Sequence, residues 1–244
     1  MKKADITGQE RLMAGKKRFY KDVAVVPVDG VWRVQLDGRD VRSPAGTMLS
    51  LPNSALADAV AHEWAAQEDK ISPAAMPLFS LVVTVIDRVT PQRSTLIDEL
   101  AAYGGNDLLC YRDDLDELAA HQAQHWQPWL DWLASTHGIT LVTVTGIMPV
   151  TQSEATKFPP LLAGLNDWRL GMLHRATSLS GSLVLGLGFV DGRIGSERLF
   201  DLAFLDELWQ NRKWGTDFEA ADRQHRIRQE LADVTRFLSL VPAE

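Results

Sequence analysis

Two histidines one helical turn apart are the first residues in this sequence that could do chemistry. His121 and His125 stand at i, i+4, and Glu117 lies four residues upstream. On a helix the three would share a face and could offer two imidazoles and a carboxylate to a metal ion. Zinc sites of this size usually add cysteines or a ligand from elsewhere, and neither is marked here. His62-Glu63 opens a zinc-protease motif that stops at Ala66, where the second histidine belongs. Gly186 and Gly188 begin a dinucleotide fingerprint, but Asp191 replaces its third glycine and no βαβ pattern surrounds it, so close helix packing explains them better. Gly15-Lys16 lacks both the upstream glycine and the following Ser or Thr of a phosphate-binding loop. Ser178, Ser180 and Ser182 do not form G-x-S-x-G, and Cys110 sits in an apolar Leu-Leu-Cys-Tyr setting that suits packing. Carboxylates are plentiful, yet no pair separates into an acid and a base.

The totals narrow the function classes. A chain of 244 residues, 45% hydrophobic and 23% charged, can bury a substantial core. A net charge of −7 argues against general nucleic-acid binding, which needs clustered positive surface. One cysteine excludes an internal disulfide framework and suits a reducing compartment. No apolar run is long enough to span a bilayer. The first twenty residues are basic without an apolar core, unlike a secretory signal, and Asp5 and Glu10 weaken a mitochondrial presequence. A cytoplasmic protein is expected.

The elements that would position these residues read as α+β: a small N-terminal antiparallel β-rich domain, then a larger, mainly α-helical C-terminal domain. The expected division is a flexible N-terminus at 1–17, a β-rich domain with a covering helix at 18–75, and a helical domain at 76–244. VAVVPV ends at Asp29-Gly30 and VWRVQL at Asp37-Gly38, and each Asp-Gly predicts a tight hairpin. Pro27, near the end of the first run, predicts an edge or a bulge there. NSALADAVAHEWAAQEDK reads as the covering helix and LFSLVVTVIDRV as a buried helix. A further helix is expected to start with Pro91 in its first turn and to end at Gly104-Gly105, with a short ordered link at 106–111. A long helix over 114–136 should be interrupted at Pro128. ITLVTVTGIMPV reads as a strand or extended segment, 154–167 and 168–180 carry helical spacing, and 181–191 stays ambiguous.

The C-terminal 45 residues hold the odd element. From a Ser196 cap, the apolar residues Leu199, Phe200, Leu202, Phe204, Leu205, Leu208 and Trp209 cover nearly the whole helix circumference. Asp206 and Glu207 interrupt them. Buried carboxylates need partners, so these two either meet a cation or stay at an edge. A second helix, starting at Thr216 with Glu219 in capping-box spacing, carries a stripe of Phe218, Ile227, Leu231, Val234 and Leu238. The eight tryptophans are expected mostly in the core, although Trp209, Gln210 and Trp214 cluster like a binding anchor.

The motifs RFYKDVAV, LPNSALADAVAHEWAAQEDKI, MPLFSLVVTVIDRV, NDLLCYR, HWQPWLDWLASTHGITLVTVTGIMPV, SGSLVLGLGFVDGRI and LDELWQNRKWGTDFEAADRQHR follow one another in order. Together they resemble the assembly-chaperone family that handles the alpha subunit of the catalytic head of F-type ATP synthase, found in mitochondria and alphaproteobacteria. The resemblance implies no catalysis and no cofactor. The expected partner is the free alpha subunit, held by a monomeric chaperone until the beta subunit displaces it. A bacterial, cytoplasmic member is expected, with eukaryotic relatives in the mitochondrial matrix. The partner-binding residues it implies are Asp206, Glu207, Trp209, Gln210 and Trp214, with Glu63 and Trp64 of an EWxxQ motif. Trp64 is expected to wedge helix against sheet. Asp206 and Glu207 could instead pair internally, with Arg212 or Arg223. Gly186 and Gly188 replace the alanines usual in the family, and each glycine weakens a helix by about 1 kcal/mol, so that segment should be less regular. The competing reading is an enzyme of another type with a metal at His121 and His125.

Overall fold

The computed structural model describes residues 15–215 and 218–243, without the side chain of Phe218. Most of the expected flexible N-terminus, the Thr216 cap and the Phe218 stripe position therefore lie outside the described residues. The chain forms two compact units. The first comprises the described residues up to Gln92 together with those from Arg236 on; the second is Arg93–Thr235.

In the first unit, β1 (Val23–Val28), β2 (Val31–Leu36) and β3 (Arg39–Asp40) form an antiparallel sheet in that order. Both Asp-Gly turns are hairpins as expected: Asp29 and Gly30 take φ 50° and 82°, and Asp37 and Gly38 take 48° and 77°. β1 is an edge. Pro27 opposes Trp32, whose backbone N–H and C=O are both bonded to Leu51 on the other side, so the missing proline N–H breaks no ladder bond. The sheet is covered by α1 (Ser54–Ala65), with buried Leu56, Val60 and Trp64, and capped by Asn53, whose Oδ1 accepts from Leu56 N at 2.9 Å. Asn53 Nδ2 also donates to the Leu240 carbonyl, joining the C-terminal tail to this unit. The buried segment expected as a helix is α2 (Pro77–Thr84), which ends in a π-helical turn over Val85–Val89.

The second unit opens with α3 (Arg93–Gly104). Pro91 lies in the preceding turn rather than in the helix. β4 (Tyr111–Arg112) pairs in parallel with β5 (Val144–Thr145), on either side of α4 (Asp116–His137). α4 runs through Pro128 without interruption. Gln124 and Pro128 both lie on its exposed face, where water can serve the carbonyl left without a donor. Then follow α5 (Phe158–Ala163), α6 (Asp167–Ser180), α7 (Leu183–Val190), α8 (Ser196–Ala203), α9 (Leu205–Trp214) and α10 (Phe218–Leu238).

The ambiguous 181–191 segment is the regular, wholly buried helix α7, packed against α3, α4, α6 and α8. Its glycines make it fit rather than loosen it. A methyl group on Gly186 would lie 2.7 Å from Thr177 Oγ1, and one on Gly188 3.0 Å from the Trp129 ring. The six apolar side chains of α7 contribute roughly 1.5–3 kcal/mol each on burial, which outweighs the glycine penalty.

The single helix expected from Ser196 is two. It begins at a Gly195 cap and breaks at Phe204, with φ −107° and ψ 22°. The break resets the phase, so Leu199, Phe200 and Leu202 are buried from α8, and Leu205 and Trp209 from α9. An apolar circumference was the signature of two stripes in different registers. The Leu202 carbonyl at the break accepts from the buried Trp126 Nε1 at 2.9 Å.

Candidate partner-binding surface

In α9 the two carboxylates take different surroundings. Asp206 is half-buried and its Oδ1 accepts from Gln122 Nε2 at 2.9 Å, while Gln122 Oε1 accepts from the Asp113 N–H at 2.7 Å. Burial pushes the Asp206 carboxyl above its usual range, the Gln122 bond opposes this, and neighbouring Asp113 adds to it. Glu207 accepts from Gln224 Nε2 at 2.7 Å and pairs with Arg223. One turn on, Gln210 is exposed. Trp209 is buried under the Lys213 ammonium, 3.8 Å from the ring centroid. Trp214 stands 75% exposed, its ring in a T-shaped contact with that of Trp209. α9 thus gathers Asp206, Glu207, Trp209, Gln210 and Trp214 on two and a half turns.

Glu63 and Trp64 belong to the core of the first unit. The Glu63 carboxylate is 5% exposed and accepts from the N–H groups of Leu78 and Phe79, at 2.9 and 2.8 Å. It caps the start of α2, where Pro77 has no N–H to offer and the helix dipole favours an anion. Trp64 packs edge-on between Tyr20 and Phe79, and its carbonyl accepts from the Tyr20 hydroxyl at 2.7 Å. Gln67 closes the motif by donating to the Glu63 carbonyl and accepting from Ser72 N.

The two histidines meet each other, and His121 also lies near enough to Asp206 to act on its charge. The rings of His121 and His125 lie edge to face, 4.5 Å apart, and Arg198 Nη2 is 3.4 Å from His125 Nδ1. Burial, then His121, Arg198 and Arg212, hold the His125 pKa below its ordinary value. Glu117 is engaged by Lys213 Nζ at 2.7 Å. Among the described residues no three His, Cys, Asp or Glu side chains are grouped to hold a metal. Cys110 is buried, its thiol pushed up to about 12 by burial, and is a packing residue.

Two features escaped the sequence reading. Asp107 is wholly buried; it accepts from Ser182 Oγ at 2.7 Å and from the N–H groups of Leu109 and Val184 at 3.0 Å, capping α7 as Glu63 caps α2. Nothing marks such an acid in a sequence until the helix it faces is known. The other is the exposed pair Ile147 and Met148, 92% and 75% exposed, whose only sequence signal is their bracketing by Gly146 and Pro149. No described helix is long and apolar enough to cross a membrane.

Residues 17–134 match the family model described as ATP12 chaperone protein. The mitochondrial protein atp12 of Schizosaccharomyces pombe is 26% identical over 215 residues, covering 82% of this chain and 74% of that protein. The crystal structure of Atp12 from Paracoccus denitrificans superposes with a TM-score of 0.88 at 37% identity, covering 93% of this chain and 98% of that one. A protein of Agrobacterium tumefaciens gives 0.86 at 36%, covering 93% and 86%. Likeness at this identity over almost the full length of both chains places the protein by sequence as well as by fold: it belongs to the ATP12 chaperone family.

Proposed function

We propose that this chain is an assembly chaperone for the catalytic head of F-type ATP synthase, which binds the free alpha subunit and shields its beta-facing interface until beta takes its place. It acts as a monomer in the bacterial cytoplasm, uses no cofactor and catalyses no reaction. The observation that carries this reading is the near full-length likeness to Paracoccus denitrificans Atp12. The physical logic supports it. An unassembled ring subunit exposes a large apolar interface that aggregates, and a stoichiometric cover weaker than the final interface needs only mass action for release.

On this reading Asp206, Glu207, Gln210 and Trp214 of α9 face the partner over buried Trp209, and Glu63 and Trp64 serve by holding their own unit together. The Glu207–Arg223 pair is open enough to water to contribute about 0–1 kcal/mol. It can therefore be exchanged for a cation of the partner. The test is refolding of purified alpha subunit with and without this protein, followed by light scattering and co-elution on a sizing column. Suppressed aggregation and a one-to-one peak that dissolves when beta is added are expected. Glu207→Gln, which removes the charge but keeps an acceptor for the buried Gln224 amide, should keep the melting temperature and abolish the rescue. A collapsed melting temperature would assign Glu207 to the fold instead, and no complex with the unsubstituted chain would overturn the reading.

A further inference from the structure

The segment between α4 and α5 presents an apolar tip that the fold does not use. Ile139 and Leu141 are buried, but Val142, Ile147 and Met148 are 49%, 92% and 75% exposed. The backbone beneath them is pinned. Gln152, itself 7% exposed, clamps Val142 by accepting from its N–H and donating to its carbonyl, both at 2.8 Å. Glu154 accepts from Thr140 N at 2.6 Å. β5 is tied to β4, and Gly146, in the left-handed region at φ 81°, donates to the Arg112 carbonyl at 2.8 Å. Ile147 and Met148 follow directly. An isoleucine almost wholly in water on a tip fixed at both ends and through its middle gains the fold nothing. It is the arrangement of a preorganised binding anchor, whose ordering cost is met before a partner arrives.

What lies beside the tip identifies the partner's chemistry. Gly146 rests against Asp114, whose Oδ1 would be 3.5 Å from a methyl placed there. Next to Asp114 is Leu115, 49% exposed. Asp113, Asp114, Asp116 and Glu117 surround Leu115, and among the described residues only Glu117 has an ion pair. Carboxylates suit a helix N-terminus, so these alone would carry nothing. Combined with the exposed apolar tip they form an anchor with an acidic rim. Two copies docked through this face would set like charges against each other, and an anionic membrane would be repelled. A protein surface with an apolar pocket rimmed by lysine or arginine satisfies both parts.

We propose that Ile147 and Met148, with Asp114 beside them and Asp116 two residues further on at the start of α4, form a second client-contact surface, inserting into a basic-rimmed apolar pocket of the chaperone's client. This rests on the assembly-chaperone reading above, so the probe is purified alpha subunit. Affinity would be measured by calorimetry for the full chain, for Ile147→Ser/Met148→Ser, and for Asp114→Asn/Asp116→Asn. All these side chains are exposed, so the apolar variant should keep the melting temperature and the acid variant should lower it only slightly, by loss of charge at the α4 N-terminus.

The apolar double variant should weaken binding on the order of thirtyfold or more, as loss of an anchor does. The acid double variant should weaken it severalfold at low salt and flatten its salt dependence. Binding by the unsubstituted chain with unchanged affinity in both variants would overturn this surface and leave the chaperone reading standing. No binding by the unsubstituted chain would overturn both. Two controls use the apolar variant: its loss of a self-associated species, or of binding to vesicles of anionic phospholipid, with alpha affinity intact, would overturn the choice of occupant.

Discussion

Asp107 shows how one buried side chain organises its surroundings. Burial pushes its carboxyl from 3.8 up to about 6, opposed by the hydroxyl of Ser182 and the N–H groups of Val184 and Leu109. The folded state therefore holds the proton more tightly than the unfolded chain between about pH 4 and 6. This group's contribution to stability is greatest below pH 4, falls as pH rises through 6, and is flat above. Asp107→Asn keeps one acceptor but turns an amide N–H toward the Val184 N–H. It should cost about 1–3 kcal/mol at neutral pH, the usual cost of an unsatisfied buried donor. It should also remove the falling term, so that urea midpoints of the variant rise more steeply with pH between 4.5 and 6.5 than those of the unsubstituted chain. Parallel curves would mean that Asp107 does not titrate in that window.

At the scale of elements, α7 tests whether its glycines are there for contact. Alanine at Gly186 should gain up to about 1 kcal/mol of helix propensity, but its methyl group would press on Thr177 Oγ1 and Leu173, and overpacking of this kind costs about 1–3 kcal/mol. Gly186→Ala is therefore expected to lower the melting temperature. Thr177→Ala in the same chain should restore it, because the two residues share one space and their effects are non-additive. Additive effects would show that the clash is relieved elsewhere. The same helix marks the limit of sequence reading. The hairpins were legible because Asp-Gly fixes a backbone conformation locally, and the helix α1 because Asn53, Leu56, Val60 and Trp64 keep a simple period. α7 was not, because a helix buried on all sides has no polar face to set its period. The Phe204 break was hidden for a related reason: two stripes in different registers read as one continuous apolar surface. Of the candidate surface, the α9 acids could be picked out, and Arg223 as a possible internal partner, which the Glu207–Arg223 pair bears out; the amides Gln122 and Gln224, which come from other segments, could not. The clamp under Ile147 depends on Gln152, which has no local signature at all.

For the whole molecule, the proposed reading makes a quantitative demand on how the chaperone works. A cover that acts by occupying an interface must be present in proportion to its client, unlike a machine that cycles on ATP. Suppression of alpha-subunit aggregation should rise linearly with added protein and saturate at one equivalent. Removing ATP with hexokinase and glucose should leave both the slope and the end point unchanged. Release should follow the concentration of beta subunit, because beta competes for the surface being shielded, and each tenfold weakening of the chaperone contact, about 1.4 kcal/mol, should lower the beta concentration needed by a corresponding factor. Variants in α9 provide that series at fixed fold: substitutions at Gln210 and Trp214, both exposed, can tune the contact without disturbing the core. Saturation well below one equivalent would indicate turnover, and with it a catalytic or energy-driven step that a passive cover lacks. Release that ignores beta would separate binding from assembly, because a chaperone displaced by something other than the incoming subunit could not hand over the interface it protects.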